Sequence, residues 1–209
     1  MVNLSRKRVS RIVWETILEG TVSHPKMPLI TQANTLDALR TNKETGSVSV
    51  ATMWCLYSVC QRFQPKKALE VGTYIGKTTL AMVMSGVEVH TCDHSNDIKL
   101  PFPCKQYPKT SSTDMFAQLE PHFDLMMLDG RLQSADLPHV SRLLHRNAVI
   151  ALDDFEGIEK GVANAAHFSY DQAMLIYPPE KALLQEHGLP DESTLGLILP
   201  KRVVRLTNQ

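Results

Sequence analysis

The sequence predicts an α/β protein built on a doubly wound, mostly parallel sheet. Two observations support this prediction. Short apolar runs alternate with helical segments from Lys67 onward, and each run is apolar almost throughout, as strands are when helices cover both faces of a sheet. The runs are ALEVG (68–72), VEVHTCD (87–93), FDLMMLD (123–129), AVIALDD (148–154), AMLIYPP (173–179) and LGLILP (195–200). Ligands bind beyond the carboxyl ends of such strands, so the residues that close each run are the functional candidates.

The segment before the first strand is expected to contain helices and a loop. A basic cluster near the start alternates with apolar residues at helical spacing, which favours a solvated helix face over a binding arm. Residues 23–35 hold two prolines and show no period, which is typical of a loop or lid. A further helix is predicted from Ser47, as its N-cap, to Phe63. The basic cluster consists of Arg6, Lys7, Arg8 and Arg11.

The composition argues against several kinds of partner. The 209 residues carry 22 basic and 22 acidic side chains, so no net charge draws the chain to nucleic acid or to a membrane surface. No apolar run is long enough to span a membrane, and the four cysteines show no CxxC pairing. We therefore expect a cytoplasmic protein with reduced thiols and with neither nucleic-acid nor membrane partners. A homodimer is one possible assembly.

The loop after the first apolar run contains Gly72, Gly76 and Lys77 and looks like the end of a phosphate-binding loop. Only three residues separate the two glycines, whereas a phosphate loop needs four for its N–H groups to wrap the phosphates. A dinucleotide fingerprint is excluded because the bulky Tyr74 replaces its middle glycine. Glu70 also places a negative charge where a phosphate loop would avoid one. The glycines would still let the backbone approach a ligand closely, and that ligand is expected to be cationic there.

Acidic residues close the next three runs. Asp93 lies 21 residues beyond Gly72, where a carboxylate can accept hydrogen bonds from both ribose hydroxyls of an adenosine. Asp129 closes the third run and the pair Asp153 and Asp154 closes the fourth, so adjacent strands would bring three carboxylates to one crevice. Such charges repel unless a cation lies among them, and Mg²⁺ is the first candidate. The alternative is that Asp154 caps a helix that starts near residue 157.

These motifs resemble the class I S-adenosylmethionine-dependent methyltransferases, and more closely the metal-dependent small-molecule O-methyltransferases of the catechol and macrocin types. The resemblance runs from about residue 46 to residue 165 and is carried by LEVGTYIGKTTLAM, VHTCDHSND, KTSSTDMFAQL, FDLMMLDG and VIALDDFEG. It implies a Rossmann-like seven-stranded sheet with an antiparallel C-terminal strand. It also implies an N-terminal helical or lid segment over 1–45 and a cofactor-binding methyltransferase domain over 46–209.

By this resemblance the cofactor is S-adenosylmethionine, and the residues that bind it are Glu70, Gly72, Thr73, Tyr74, Gly76, Thr78, Asp93, His94, Ser111, Ser112 and Asp129. The methionine part would lie against Glu70, Gly72, Tyr74 and Thr78. Asp93 would hold the ribose. The adenine would lie near His94, Ser111 and Ser112. The alternative for each residue is ordinary loop or capping chemistry.

The resemblance also implies a Mg²⁺ or other divalent site at Asp129, Asp153 and Asp154, with Asp129 and Asp154 as the catalytic residues. The ion would lower the pKa of a small-molecule hydroxyl acceptor. The catechol enzymes place a basic lysine where this chain has Leu132, and Arg131 is a poor base because it stays protonated. The general base is therefore open. Two alternative functions remain: a domain that binds the cofactor without turnover, and a nucleotide hydrolase.

Overall fold

The computed structural model describes residues 6–40, 46–168 and 173–200. The strands are β1 (Lys67–Val71), β2 (Glu88–Asp93), β3 (Lys105–Pro108), β4 (Phe123–Leu128), β5 (Leu144–Leu152), β6 (Ala173–Ile176) and β7 (Gly196–Pro200). The helices are α1 (Arg6–Glu19), α2 (Lys26–Leu36), α3 (Val50–Phe63), α4 (Lys77–Met84), α5 (Ser112–Ala117), α6 (Leu137–Leu143), α7 (Ala163–Ala166) and α8 (Lys181–Glu186). A π-helical turn, Ile158–Val162, leads into α7.

The seven strands form one sheet in the order β3-β2-β1-β4-β5-β7-β6. Strands β1 to β5 pair with one another in parallel, and β7 runs antiparallel to both of its neighbours, β5 and β6. The direction of winding reverses between β1 and β4, which opens a crevice at their carboxyl ends. The predicted doubly wound, mostly parallel sheet with an antiparallel C-terminal strand is confirmed.

Both faces of the sheet are covered, as the apolar runs predicted. Along β4, Leu125 and Met127 belong to one buried cluster, while Met126 and Leu128 belong to the cluster on the opposite face. This alternation follows from the two-residue period of a strand. The N-terminal helices and α3 pack on the first face, and α5 and α6 pack on the second. The parallel strands are therefore apolar on both sides because neither side meets solvent.

The structure corrects the prediction of a loop over residues 23–35. Helix α2 covers most of that segment, with Pro25 at its N-cap and Pro28 in its first turn. First-turn N–H groups have no acceptor within a helix, so proline is tolerated there. Its buried residues are Leu29, Ala33 and Leu36. The prolines therefore mark the start of a packed helix.

The start of α3 also differs from the prediction. Its N-cap is Ser49, whose hydroxyl accepts a hydrogen bond of 3.0 Å from the Thr52 backbone N–H. The hydroxyl of Ser47 instead accepts a hydrogen bond of 2.5 Å from Arg40. The sequence offers two serines two residues apart, and only the packing of the preceding segment distinguishes them.

Strand β3 is an element that the apolar runs did not reveal. Its residues KQYP are half-buried or exposed at the edge of the sheet, so they carry no apolar run. All four cysteines are free thiols, in agreement with the expectation from their spacing. Within the ranges that the structure covers, no helix combines the length and apolar character that crossing a bilayer requires.

Candidate functional site

Two cavities open beyond the carboxyl ends of the central strands. One, of about 580 Å³, lies over the ends of β1, β2 and β4, and we call it the glycine-loop cleft. The other, of about 720 Å³, lies under α1 and over the end of β5, and we call it the outer cavity. Arg131 and Lys160 line both cavities. The two spaces therefore meet at these two residues.

Gly72 allows the loop after β1 to lie directly against the loop after β4. Its φ is +97°, and a Cβ atom on it would come within 2.8 Å of the Gly130 nitrogen and 2.9 Å of the Asp129 carbonyl carbon. Both values are below any ordinary contact with a Cβ, so a side chain is excluded. This close approach forms the floor of the glycine-loop cleft.

Asp93 lies at the rim of the same cleft and is fixed by backbone donors. Its Oδ2 accepts a hydrogen bond of 2.8 Å from the Tyr74 N–H, and its Oδ1 accepts bonds from Ser95 and Asn96. Tyr74 itself has a φ of +43°, in the left-handed region. The carboxylate is therefore held beside the glycine loop, where a ribose ligand of the kind predicted could reach it.

The other predicted cofactor residues divide into two groups. His94, Ser111, Ser112 and Asp129 line the cleft together with Gly72, Tyr74 and Asp93. The remainder, Glu70, Thr73, Gly76 and Thr78, do not line the cleft. The structure thus brings seven of the predicted residues to the surface of one cleft and leaves four outside it.

Glu70 is the most deeply buried of that second group. Its Oε2 accepts a hydrogen bond of 2.5 Å from the Thr79 hydroxyl, and its Oε1 has no hydrogen-bond partner among the described residues. Burial raises the pKa of Glu70, while hydroxyls including that of Thr79 oppose the shift. Thr73 pairs with Thr91 at 2.5 Å in the same layer. These two hydrogen bonds connect β1 with α4 and the loop after β1 with β2.

The serines at the cleft have their hydroxyls engaged by the protein. Ser111 is the N-cap of α5 and accepts a hydrogen bond of 3.1 Å from the Asp114 N–H. Ser112 donates a bond of 2.7 Å to Asp136, which is fully buried. Sequence analysis did not single out Asp136, which also accepts a bond from the Gln133 N–H and so orders the cleft wall between α5 and α6.

Lys77 shows why the glycine loop only resembles a phosphate loop. Its ammonium lies 2.9 Å from an oxygen of Asp37, in the segment that follows α2. Burial raises the pKa of Asp37, but the ion pairs with Lys77 and Arg40 outweigh it, so the pKa is lowered overall. Lys77 therefore ties the N-terminal segment to α4 and does not line either cavity.

The three carboxylates at the ends of β4 and β5 converge as the sequence predicted. One oxygen from each of Asp129, Asp153 and Asp154 lies within 4.8 Å of the others, and we call this group the carboxylate cluster. Burial, followed by the charge of Asp153, raises the pKa of Asp129 to about 7. Burial also raises the pKa of Asp153, although its hydrogen bond of 2.6 Å from Thr194 opposes this. The cluster therefore concentrates negative charge at a partly buried place.

Lys160 is the functional candidate that sequence analysis missed. Its Nζ lies 3.1 Å from Asp129 Oδ1 and 2.9 Å from Asp154 Oδ2. Burial lowers the pKa of Lys160, but the neighbouring carboxylates outweigh this and raise it, so the ammonium stays charged. No local motif marks this lysine, because it follows Asp129 by 31 residues and enters the site from a different element.

The π-helical turn places Lys160 over the cluster. A Cβ atom on Gly161 would lie 2.4 Å from the Asp154 carbonyl oxygen, so the glycine lets the turn pack against the loop after β5. The N-cap of this turn is Gly157, and no side chain caps it. Asp154 directs Oδ2 to Lys160 at 2.9 Å. The side chain of Asp154 therefore pairs with Lys160 and does not cap the π-helical turn, which was the alternative that the sequence offered.

Helix α1 forms one wall of the outer cavity. The Trp14 indole donates a hydrogen bond of 2.7 Å to the Tyr177 carbonyl, and the Ser10 hydroxyl accepts one of 3.0 Å from the Tyr177 N–H. Lys7, Ser10 and Arg11 line the cavity from this helix. Arg11 also pairs with Glu15, Glu180 and Glu186, so part of the basic cluster has local partners.

Comparison with known proteins supports the fold. No protein-family model and no curated protein sequence matches this chain. The structure is similar to the O-methyltransferase TomG from Streptomyces achromogenes in complex with S-adenosylmethionine, with a TM-score of 0.56, 15% identity, and coverage of 82% of this chain and 89% of TomG. It is also similar to an O-methyltransferase from Bacillus cereus in complex with S-adenosylhomocysteine, with a TM-score of 0.52, 16% identity, and coverage of 84% of this chain and 91% of that chain.

A methyltransferase from Podospora anserina with bound S-adenosylhomocysteine is a third similar structure, with a TM-score of 0.53, 14% identity, and coverage of 82% of this chain and 87% of that chain. At these identities the likeness establishes the fold alone. The chain therefore has the fold of the class I S-adenosylmethionine-dependent methyltransferases, as the resemblance in its motifs implied.

Proposed function

We propose that this protein is an S-adenosylmethionine-dependent methyltransferase that transfers a methyl group to a hydroxyl of a small molecule. The observation that carries the proposal is the junction of the two cavities. Asp129 lines the glycine-loop cleft, Asp154 lines the outer cavity, and Lys160 lies between them in contact with both carboxylates. A cofactor in the first space and an acceptor in the second would bring their reacting atoms to this junction.

The glycine-loop cleft is suited to S-adenosylmethionine. Asp93 would accept hydrogen bonds from the ribose, and the backbone at Gly72 and Tyr74 would line the path of the methionine part. His94 and Ser111 would lie near the adenine. Glu70 supplies negative charge beneath the loop, which favours a cofactor that carries a sulfonium and an ammonium group.

The outer cavity is suited to a small acceptor. Its volume of about 720 Å³ is in the range of small-molecule sites, and its walls combine Tyr177 and Pro178 with charged residues of α1. The sulfonium leaving group needs no acid, so the residues at the junction have to orient the acceptor oxygen in line with the methyl group and the sulfur. Leu132 is buried in the core, and Arg131 pairs with Glu159, so neither supplies a base.

The carboxylate cluster has the chemistry of a Mg²⁺ site. Three carboxylates offer the hard oxygen donors that this ion prefers, and Asp129, Asp153 and Asp154 would hold it. When bound, such an ion supplies positive charge that lowers the pKa of an acceptor hydroxyl. The Thr194 hydroxyl donates its hydrogen bond of 2.6 Å to Oδ1 of Asp153, so Oδ2 of this carboxylate would be the oxygen offered to the ion.

Two alternatives are weighed by specific observations. A nucleotide hydrolase would need Lys77 at a phosphate, but that ammonium is paired with Asp37. A domain that only binds the cofactor would not need a second cavity that meets the first at a charged cluster. The first alternative is therefore disfavoured, and the second is left to experiment.

The test combines binding with turnover. Calorimetry should show that S-adenosylhomocysteine binds, and thermal unfolding should show stabilisation by this ligand and none by ATP with Mg²⁺. Single-turnover transfer of a radiolabelled methyl group to a panel of small hydroxyl compounds, catechols included, should then identify an acceptor class. Binding without transfer to any hydroxyl would support the silent domain, and stabilisation by ATP alone would overturn the proposal.

A further inference from the structure

The ammonium of Lys160 lies at the place in the carboxylate cluster where a cation is needed. It lies 3.1 Å from Asp129, which lines the glycine-loop cleft, and 2.9 Å from Asp154, which lines the outer cavity. We propose that Lys160 and a divalent cation compete for this cluster, so that Lys160 acts as a built-in cation that sets the affinity of the protein for the ion. The inference rests on the metal-assisted form of the proposed function.

The two cations exclude each other for geometric and electrostatic reasons. The three carboxylate oxygens lie within 4.8 Å of one another, which is the spacing for one shared cation. A divalent ion would lie about 2.0 to 2.6 Å from such oxygens. An ammonium that keeps its contacts with Asp129 and Asp154 would then be only a few ångströms from an ion of the same sign, in a partly buried place. The ion can bind well only when the ammonium moves away.

The balance of charge explains why an internal cation is present. Asp129 and Asp153 are largely buried beside Asp154, and burial raises the pKa of the first two. Lys160 contributes one positive charge to the three carboxylates. It contacts Asp129 and Asp154 and leaves Asp153 to Thr194. A divalent ion brings more charge, so it can displace the ammonium, but each binding event must first break these two ion pairs.

Lys160 has room to leave without a change in the fold. Its side chain is 38% exposed, and it lines the outer cavity, where Glu156 offers another carboxylate. A lysine side chain has four flexible carbons, so rotation about its own bonds is enough to move the ammonium. The contact surfaces of the π-helical turn, including Gly161, need not move.

The first experiment measures ion binding directly. Mg²⁺ and Mn²⁺ are titrated by calorimetry into the wild type, Lys160→Met and Lys160→Arg. Lys181→Met serves as the matched control, because Lys181 lines the same cavity but pairs with Glu192, away from the cluster. Lys160→Met should bind the ions about tenfold more tightly or better, since a competing charge is gone. Lys160→Arg and Lys181→Met should not gain affinity.

The proposal is overturned if Lys160→Met binds the ions no more tightly than the wild type, or if no variant binds them at millimolar concentration. Thermal unfolding of the same samples shows whether each variant is folded. Binding of S-adenosylhomocysteine is measured as well and reports on the cofactor cleft, so failure of the proposed methyltransferase function would be seen separately.

A second experiment needs only the wild type. Lysine amines are modified with acetic anhydride, with and without Mg²⁺ at a concentration that saturates the site by calorimetry, and the products are quantified by mass spectrometry. The ion should increase modification at Lys160 severalfold relative to Lys181. Unchanged reactivity of Lys160 at saturating Mg²⁺ would show that the ammonium is not displaced.

Discussion

The backbone N–H of Tyr74 donates a hydrogen bond of 2.8 Å to the carboxylate of Asp93, which ties the loop after β1 to the end of β2. The other oxygen of the same carboxylate accepts bonds from the backbone of Ser95 and Asn96. One acidic side chain thus fixes two loops at the rim of the glycine-loop cleft. Substitution of Asp93 should therefore weaken cofactor binding in two ways, by removing an acceptor for the ribose and by loosening the two loops.

Replacement of Asp93 should weaken cofactor binding. Asp93→Ala removes an acceptor of charge-assisted hydrogen bonds, so the affinity for S-adenosylhomocysteine should fall by about 1 to 3 kcal/mol in calorimetry. Asp93→Asn keeps one acceptor oxygen for the loop and should lose less. The control is Asp97→Asn, whose exposed carboxylate pairs with Lys109 at 2.8 Å, and it should bind normally. Wild-type affinity in Asp93→Ala would remove the ribose assignment.

Gly72 and Gly86 form a matched pair for a stability test. Both have positive φ, +97° and +84°, but a Cβ atom on Gly72 would clash with the backbone at Gly130, whereas nothing lies within 4 Å of one on Gly86. Gly86→Ala should therefore cost about 1 to 2 kcal/mol for backbone strain alone. Gly72→Ala should cost clearly more and also impair cofactor binding. Equal losses in urea unfolding would contradict the close approach of the two loops.

Replacement of Glu70 by glutamine should stabilise the fold, by an amount that depends on pH. Its folded-state pKa is raised by burial, so its ionised form destabilises the fold at neutral pH, and this penalty fades as the pH falls through that pKa toward the ordinary value for glutamate. Glu70→Gln should be more stable than the wild type at neutral pH in the absence of cofactor, and the gap should narrow in acid.

The exposed Glu88 is the control for this effect. Hydrogen bonds from Lys105 and His90 lower its pKa to about 2, the opposite direction from Glu70. Glu88→Gln should therefore not gain stability at neutral pH. Chemical unfolding at several pH values measures both variants. A difference in the free energy of unfolding between Glu70→Gln and the wild type that stays constant with pH would contradict a raised pKa for Glu70.

Removal of the metal should separate chemistry from cofactor binding. EDTA should abolish methyl transfer while leaving most of the affinity for S-adenosylhomocysteine, and Mg²⁺ should restore the rate. Asp153→Asn keeps an acceptor for Thr194 but removes a charge, so it should raise the ion concentration needed for activity by about tenfold or more. Asp191→Asn, at an exposed site, should not. Full activity in exhaustive chelator would argue against the ion.

The pairing of Lys77 with Asp37 gives a test against nucleotide hydrolysis. Lys77→Met should destabilise the fold by about 1 kcal/mol, because one partner is buried and the other is partly exposed. Asp37→Asn and the double variant should show that the two losses are not additive. ATP with Mg²⁺ should stabilise neither the wild type nor Lys77→Met. Stabilisation by ATP that is lost in Lys77→Met would instead support a phosphate-binding lysine.

Much of this protein could be predicted from local features of its sequence. A buried parallel strand is apolar over most of a short run, and an acidic residue closes several of these runs, so Asp93, Asp129 and Asp153 could be placed at the carboxyl ends of parallel strands. Gly72 could be identified because a loop backbone that approaches a ligand closely needs a residue without a side chain, although its contact with Gly130 was not predicted. These signals are contained within a few consecutive residues.

The same reasoning failed where the environment decides. The polar edge strand β3 has no apolar run to mark it. Two prolines a few residues apart occur both in loops and at the first turn of a helix, so the sequence alone did not distinguish a loop from the start of α2. Ser47 and Ser49 are equivalent as N-caps until the preceding segment is packed.

The site shows the same division. The sequence determined that three carboxylates close two consecutive strands, because the hydrophobic pattern marks where each strand ends. Only the tertiary structure decided that Lys160 lies among them and that α1 closes the outer cavity. Charge pairing acts through space between elements far apart in the chain, and no local pattern records which distant lysine will be folded against a buried carboxylate.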